Sequence, residues 1–108
     1  MGQRRQRKTE DRRSSRYPLE ALASLVCGSE AFDTITVNMS TEGVLLQDPL
    51  PVDWSNKDIT LKLSYENSEG KVIAATGVCQ LVLGTNSRVV FKGFNNPLIR
   101  FVLQIIDG

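Results

Sequence analysis

The feature that most constrains the fold is an alternation of apolar and polar side chains with a period of two residues. It is clearest in ITLKLSYE, residues 59–66, where every second position is apolar: Ile59, Leu61, Leu63 and Tyr65. Side chains of a β-strand point alternately to the two faces of a sheet, so this spacing is typical of a strand with one buried face. The chain is therefore expected to form a sheet.

Six such segments follow one another, separated by turn-forming residues. They cover residues 17–27, 32–39, 43–47, 59–66, 71–84 and 88–94. Short strands with short connections favour an antiparallel sheet, and closing that sheet into a small barrel removes its exposed edges. The 108 residues suffice for one domain with a modest core. We predict an all-β fold, a six-stranded antiparallel β-barrel, in which Gly77 bends or bulges the fifth strand.

The alternation also predicts which side chains of the first two segments share a face. In the first segment, one face carries Leu19, Ala21, Ala23, Leu25 and Cys27. In the second, Ile35, Val37 and Met39 lie on one side, opposite to Thr34, Thr36 and Asn38. If the apolar side lines the core, Asn38 and Ser40 point outward.

The last segment, NNPLIRFVLQIIDG, breaks the alternation. Arg100, Gln104 and Asp107 fall at helical spacing, and Asn96 and Pro97 suit the N-cap and first helical position. We predict a short, mostly apolar C-terminal α-helix over residues 97–106; a seventh strand is the alternative. Its apolar surface must be covered by the mouth of the barrel, by a dimer contact or by a further part of the chain.

Charge is divided unevenly between the N-terminus and the rest. Residues 1–16 hold seven Arg or Lys against two acidic residues, a net of +5, whereas residues 17–108 hold six against ten, a net of −4. Basic arms commonly bind phosphates of nucleic acids, lipids or nucleotides, although many simply stay solvated. We expect residues 1–11 to form a flexible basic N-terminal arm and residues 12–108 to form the barrel domain.

Several function classes lose support from composition. The chain has no histidine, and Cys27 and Cys79 lie in strand-like runs instead of a metal-binding cluster. Its acidic residues are scattered over turns, so an enzyme is not expected, and no cofactor is predicted. The N-terminus lacks a signal peptide's apolar core and no run reaches transmembrane length, so we expect a cytoplasmic protein with reduced thiols and no membrane insertion.

Two short stretches carry groups that suit a nucleotide ligand. RRSSR, residues 12–16, places two arginines four residues apart, and guanidinium groups bind phosphate or the O6 and N7 edge of guanine. In NMSTEG, residues 38–43, an amide and a hydroxyl can read a base edge. Gly43 allows a positive φ or a close backbone approach. The alternative is a plain hairpin turn in which Asn or Ser contacts the backbone.

Together these stretches resemble the paired signature of PilZ domains, R-x-x-x-R followed by [D/N]-x-S-x-x-G. The resemblance covers residues 11–106 and implies a six-stranded barrel, often with a terminal helix. PilZ domains are bacterial receptors for cyclic di-GMP, so the resemblance implies that ligand. Carried over by position, Arg12 and Arg16 hold phosphate and guanine, with Arg13 as a further candidate. Asn38 and Ser40 contact guanine and phosphate, and Gly43 shapes the turn.

Three functional hypotheses remain open at this point. In the leading one, cyclic di-GMP orders the arm on the barrel and the new surface signals to an unidentified protein partner. In the second, the chain is a PilZ-like adaptor that binds protein and no nucleotide. In the third, it is a small barrel that binds nucleic acid, which the scarcity of aromatic residues disfavours. A homodimer is compatible with each.

Overall fold

The computed structural model describes residues 16–107. Within that range it contains seven β-strands, one short 3-10 helix over Val52–Trp54 and one α-helix, α1, over Pro97–Asp107. The strands are β1 (Tyr17–Pro18), β2 (Leu22–Cys27), β3 (Glu30–Met39), β4 (Gly43–Leu46), β5 (Ile59–Glu66), β6 (Val72–Leu81) and β7 (Arg88–Phe91). The predicted C-terminal helix is confirmed and ends one residue later than expected. The alternative, in which residues 97–106 form a strand, is wrong.

The strands from β2 to β7 form a closed antiparallel barrel. Their order around the barrel is β3, β2, β5, β6, β7 and β4, and β4 pairs back onto β3. The predicted six-stranded barrel is thus confirmed, and β1 adds a short seventh strand beside the end of β3.

The first predicted segment is split because residues between β1 and β2 leave the strand ladder around Thr36. The Ala21 backbone N–H donates to Thr36 Oγ1 at 2.9 Å, and the Thr36 hydroxyl donates to the Leu19 carbonyl. A threonine side chain therefore satisfies backbone groups that would otherwise be buried without a partner.

The predicted faces are right for β2 and partly wrong for β3. In β2 every second residue is buried, as expected: Ala23, Leu25 and Cys27. In β3, however, Thr36 is fully buried and Val37 is 44% exposed. Thr36 pairs with Leu46 and Asn38 with Leu45, so Val37 is an extra residue in a β-bulge. The bulge shifts the alternation by one position, and Met39 returns to the core.

The connection between β4 and β5 covers the start of β3. It contributes two buried side chains, Leu50 and Trp54. The Trp54 indole N–H donates to Glu30 Oε1 at 2.6 Å, and its ring meets Phe32 edge to face with centroids 6.5 Å apart. A buried indole normally finds such an acceptor, so this contact fixes the connection on the barrel.

The helix begins where Asn96 fills a space that Gly77 leaves open. A Cβ on Gly77 would lie 2.1 Å from Asn96 Oδ1, so the glycine serves close approach and not the predicted bend. The β5–β6 pairing runs without a shift past Gly77. Asn96 Oδ1 accepts the Leu98 N–H at 2.9 Å, which confirms the predicted N-cap. The helix packs on β6, and its buried residues join the barrel core: Leu98, Phe101 and Val102.

Both cysteines are free and buried. β5 pairs with β2 on one side and with β6 on the other, so it separates the strands that carry Cys27 and Cys79. Two strand spacings amount to about 9.5 Å, whereas a disulfide needs Cα atoms within about 7 Å. Within residues 16–107, no helix has the length and apolar character required to cross a bilayer.

Candidate functional site

Strand β1 brings the end of the first motif to the second motif. Tyr17 pairs with Met39, and Pro18 pairs with Asn38, at the end of β3 where the second motif begins. Arg16 immediately precedes this short strand. Two stretches that are more than twenty residues apart in sequence are therefore joined by backbone pairing.

The side chains of Arg16 and Asn38 contact each other directly. Arg16 Nη1 donates a hydrogen bond to Asn38 Oδ1 at 3.2 Å. Arg16 is exposed, and Asn38 is half-buried. A guanidinium has only donors, so the amide oxygen must face it, and the Asn38 Nδ2 group points elsewhere. Within residues 16–107, Nδ2 donates to no other residue, and an amide N–H group suits an acceptor on a ligand.

Ser40 was predicted to face solvent, and this prediction is wrong. The residue is buried because it lies inside the tight turn between β3 and β4. It is 3% exposed. Its backbone N–H donates to the Gly43 carbonyl at 2.9 Å, and its hydroxyl oxygen accepts the Glu42 N–H at 3.1 Å. This is the backbone contact that the hairpin-turn alternative predicts. The hydroxyl proton is still able to donate to a further acceptor.

Gly43 is required by a close approach between β4 and β7. A Cβ at this position would lie 2.0 Å from the Val89 carbonyl oxygen. The φ of Gly43 is not positive. Glycine is therefore needed here for the close backbone approach and not for a positive φ. The Phe91 N–H also donates to the Glu42 carbonyl at 2.9 Å. The turn of the second motif is thus fastened to the neighbouring strand and holds Asn38 and Ser40 on a rigid support.

Arg12, Arg13 and the predicted arm over residues 1–11 lie outside the described residues. The described part of the site consists of Arg16, Asn38, Ser40 and Gly43. It provides one guanidinium, one amide donor and one hydroxyl, and these groups suit a ligand with phosphate oxygens and a base edge.

Sequence reasoning overlooked Tyr17, which follows Arg16 directly. Tyr17 is 39% exposed and lines a cleft of about 360 Å³ together with Leu19, Tyr65, Lys71 and Gln104. Arg16 does not line this cleft. The available signal was an aromatic residue placed at the first position of the alternating pattern.

The acidic side chains of the barrel have structural partners or lie in solvent. Asp58 is exposed and accepts hydrogen bonds from Lys92 and Gln80, both at 2.9 Å. The hydrogen bond from Lys92, followed by that from Gln80, lowers the pKa of Asp58. Asp48 accepts from the Thr34 hydroxyl at 2.7 Å. Among residues 16–107, no group of acidic or thiol side chains has the arrangement of a metal site.

The family model of the PilZ domain matches residues 10–104. The chain belongs to the PilZ family. The matched range contains both motifs of this PilZ domain, the complete barrel and most of α1. A comparison with curated proteins gives no match.

Family membership places this PilZ domain among receptor and adaptor domains for cyclic di-GMP. The R-x-x-x-R motif ends at Arg16, immediately before β1, and the [D/N]-x-S-x-x-G motif spans the turn from β3 to β4. The resemblance seen in the sequence is therefore confirmed at the level of the family and of the fold.

Proposed function

We propose that this PilZ domain is a non-enzymatic receptor that binds cyclic di-GMP where the arm joins the barrel. The single observation that carries the proposal is the hydrogen bond from Arg16 to Asn38. It joins one residue of each motif. A chance R-x-x-x-R in a basic tail would have no reason to meet the second motif, so this contact supports a shared site.

Each group has a role that follows from its chemistry. Arg16 binds a phosphate oxygen or the O6 and N7 edge of guanine with two parallel N–H groups. Asn38 holds Arg16 through Oδ1 and donates from Nδ2 to an acceptor on the ligand. Ser40 keeps the turn closed and donates its hydroxyl proton. In this proposal Arg12 and Arg13 supply further cationic groups from the arm.

The charge distribution supports a response to the ligand. The segment 1–16 has a net charge of +5, and cyclic di-GMP brings two phosphate charges. Neutralising phosphate with several arginines draws the basic segment onto the barrel, and this rearrangement presents a new surface to a protein partner. Location in the cytoplasm, where such a messenger would be met, stays a prediction.

Isothermal titration with a ligand panel tests the proposal. We expect the chain to bind cyclic di-GMP and to bind GMP, cyclic di-AMP and a short oligonucleotide much more weakly. GMP carries a single guanine, and cyclic di-AMP lacks the O6 acceptor. Absence of binding to every ligand would favour the adaptor hypothesis, and preference for the oligonucleotide would favour the nucleic-acid hypothesis. Either result would overturn the proposal.

A further inference from the structure

Strand β1, which follows Arg16, has little packing of its own to hold it on the barrel. Both residues of β1 are exposed, and so is Arg16 before it. Pro18 has no N–H group to donate. The next backbone bond, from the Leu19 N–H to the Val37 carbonyl, is long at 3.3 Å. Because Arg16 meets Asn38 only while β1 stays on β3, the position of Arg16 needs a further support.

The segment that joins β1 to β2 contains one residue more than the part of β3 that it faces. The last pair of β1 is Pro18 with Asn38, and the first pair of β2 is Leu22 with Ile35. Between these two pairs, three residues of the joining segment lie opposite two residues of β3. An extra residue disrupts the ladder locally, so regular pairing stops at the step that connects β1 with the barrel.

Thr36 bridges this irregular step with its backbone and with its hydroxyl group. Its N–H donates to the Ala21 carbonyl at 2.9 Å, its Oγ1 accepts the Ala21 N–H at 2.9 Å, and its hydroxyl donates to the Leu19 carbonyl. The hydroxyl thus satisfies backbone groups on both sides of Glu20. Thr36 is fully buried and Ala21 is 2% exposed, so water does not replace these bonds readily. We call these three hydrogen bonds the Thr36 bridge.

We propose that Thr36 is a positioning residue of the cyclic di-GMP site. The Thr36 bridge fixes the step between β1 and β2 and thereby holds Arg16 against Asn38. The bulge at Val37 supports this role, because it lies between Thr36, which is in the core, and Asn38, which contacts Arg16. One short stretch of β3 therefore carries both the bridge and the amide of the site. This inference rests on the proposed function and extends it to a residue that is too deeply buried to touch the ligand.

Thr36→Val tests the bridge, because valine has nearly the same shape and lacks the hydroxyl. The Leu19 carbonyl and the Ala21 N–H then lose their shared partner. We expect this variant to bind cyclic di-GMP roughly 10-fold more weakly, since Arg16 is in place for a smaller fraction of the time. Thr36→Ser keeps the hydroxyl and should bind within about 2-fold of the wild type. Isothermal titration at a temperature where every variant is folded gives the comparison.

Thr34→Val is the matched control, because it makes the same chemical change two positions earlier in β3. The Thr34 hydroxyl donates to Asp48 Oδ2 at 2.7 Å, in the connection from β4 to β5, and not to the segment that carries Arg16. This variant should bind as the wild type does. Equal weakening by Thr34→Val and Thr36→Val would reveal a general effect of lost stability and overturn the proposal. An unchanged affinity of Thr36→Val would overturn it as well.

NMR of the ligand-free proteins separates this inference from the proposed function. Pro18 and Asn38 are paired across β1 and β3, so an NOE between their α-protons reports whether β1 is in place. The NOE should be present in the wild type, in Thr36→Ser and in Thr34→Val, and it should be lost in Thr36→Val. Its persistence in Thr36→Val would show that the bridge does not position β1. A wild type that shows the NOE but binds no cyclic di-GMP would overturn the proposed function instead.

Hydrogen exchange of the wild type tests the bridge even if Thr36→Val fails to fold. The amides of Ala21 and Thr36 both donate within the bridge, so they should open together and show similar protection factors. Both should be better protected than the amide of Tyr17 in exposed β1. An Ala21 amide as weakly protected as that of Tyr17 would mean that the Thr36 hydroxyl does not hold this segment, and the proposal would be wrong.

Discussion

Arg16 donates from its guanidinium to the side-chain oxygen of Asn38, 3.2 Å away, across the pairing of β1 with β3. The contact has two consequences for this PilZ domain. It positions an exposed cationic group beside the turn of the second motif, and it directs the Asn38 amide donor away from the arginine. An aspartate at this position would present only acceptors, so Asn38 gives the chain a donor that the acidic version of the motif lacks.

Gly43→Ala should destabilise the barrel severely. The added methyl group would meet the backbone of β7 at Val89, which cannot move without disturbing the pairing of β4. We expect a loss of at least about 3 kcal/mol in the free energy of unfolding, or failure to fold. Urea denaturation measures this loss in the free energy of unfolding, and Gly28→Ala serves as the control variant.

Gly28 has a φ of 62°, and no heavy atom lies within 4 Å of the position that a Cβ would take, so the control variant suffers backbone strain without a clash. Its loss should be about 1 kcal/mol. Equal losses at the two positions would mean that β4 and β7 are not as close as described.

Asn96→Ala should loosen the start of α1. The side chain caps the helix at Leu98 and donates to the Val78 and Lys92 carbonyls, at 2.7 and 2.8 Å. Losing the cap and two buried hydrogen bonds should lower the free energy of unfolding by about 2 to 4 kcal/mol. Asn95→Ala, at the exposed neighbouring position, should change it by less than about 0.5 kcal/mol. Thermal denaturation followed by circular dichroism compares them, and equal melting temperatures would contradict this account.

Ser40→Ala should affect stability as well as ligand binding, because the Ser40 hydroxyl accepts the Glu42 N–H inside the turn. We expect a loss of about 1 kcal/mol in the free energy of unfolding. Asn38→Ala should cost less, because the one side-chain hydrogen bond that Asn38 makes within residues 16–107 is the exposed one from Arg16. Chemical denaturation of the two variants without ligand gives the comparison. A larger loss for Asn38→Ala would mean that the asparagine, and not the serine, holds the turn.

Stability should fall at alkaline pH through Cys79. Burial raises the pKa of the Cys79 thiol from 9.0 to about 12. Above pH 9 the unfolded chain therefore loses the thiol proton while the folded chain keeps it, so the unfolded state is favoured increasingly up to pH 12. The contribution of the Cys79 thiol to the free energy of unfolding is constant below pH 9. Above pH 9 it declines by at most about 1.4 kcal/mol per pH unit.

Urea denaturation of the wild type and of Cys79→Ala between about pH 7 and about pH 10.5, an interval that contains the unfolded pKa of the thiol, isolates this group. Other residues titrate equally in both proteins, so the stability advantage of the wild type should shrink above pH 9. An advantage that is the same at every pH would show that the thiol ionises equally in both states.

The sequence predicted those features that depend on local periodicity or on a single polar residue. Alternating side chains predicted the barrel, and Asn96 with Pro97 predicted where α1 begins. The faces of β3 could not be predicted, because the bulge at Val37 depends on how β4 pairs with β3. Likewise, the burial of Ser40 results from its own turn being fastened to β7. The approach of Arg16 to Asn38 followed only from the PilZ resemblance, since no local rule joins positions so far apart.

The central claim is that Arg16 and Asn38 form one binding site for cyclic di-GMP. Isothermal titration at one fixed ionic strength tests it most directly, with wild type, Arg16→Ala, Asn38→Ala and Arg5→Ala as a control for general charge. Arg16→Ala removes a charge-assisted hydrogen bond of about 1.5 to 3 kcal/mol. The variant should therefore bind cyclic di-GMP roughly 10- to 100-fold more weakly than the wild type does. Asn38→Ala should also bind more weakly, and Arg5→Ala should bind as the wild type does. Equal affinities for Arg16→Ala and Arg5→Ala, or a wild type that does not bind cyclic di-GMP, would contradict the claim.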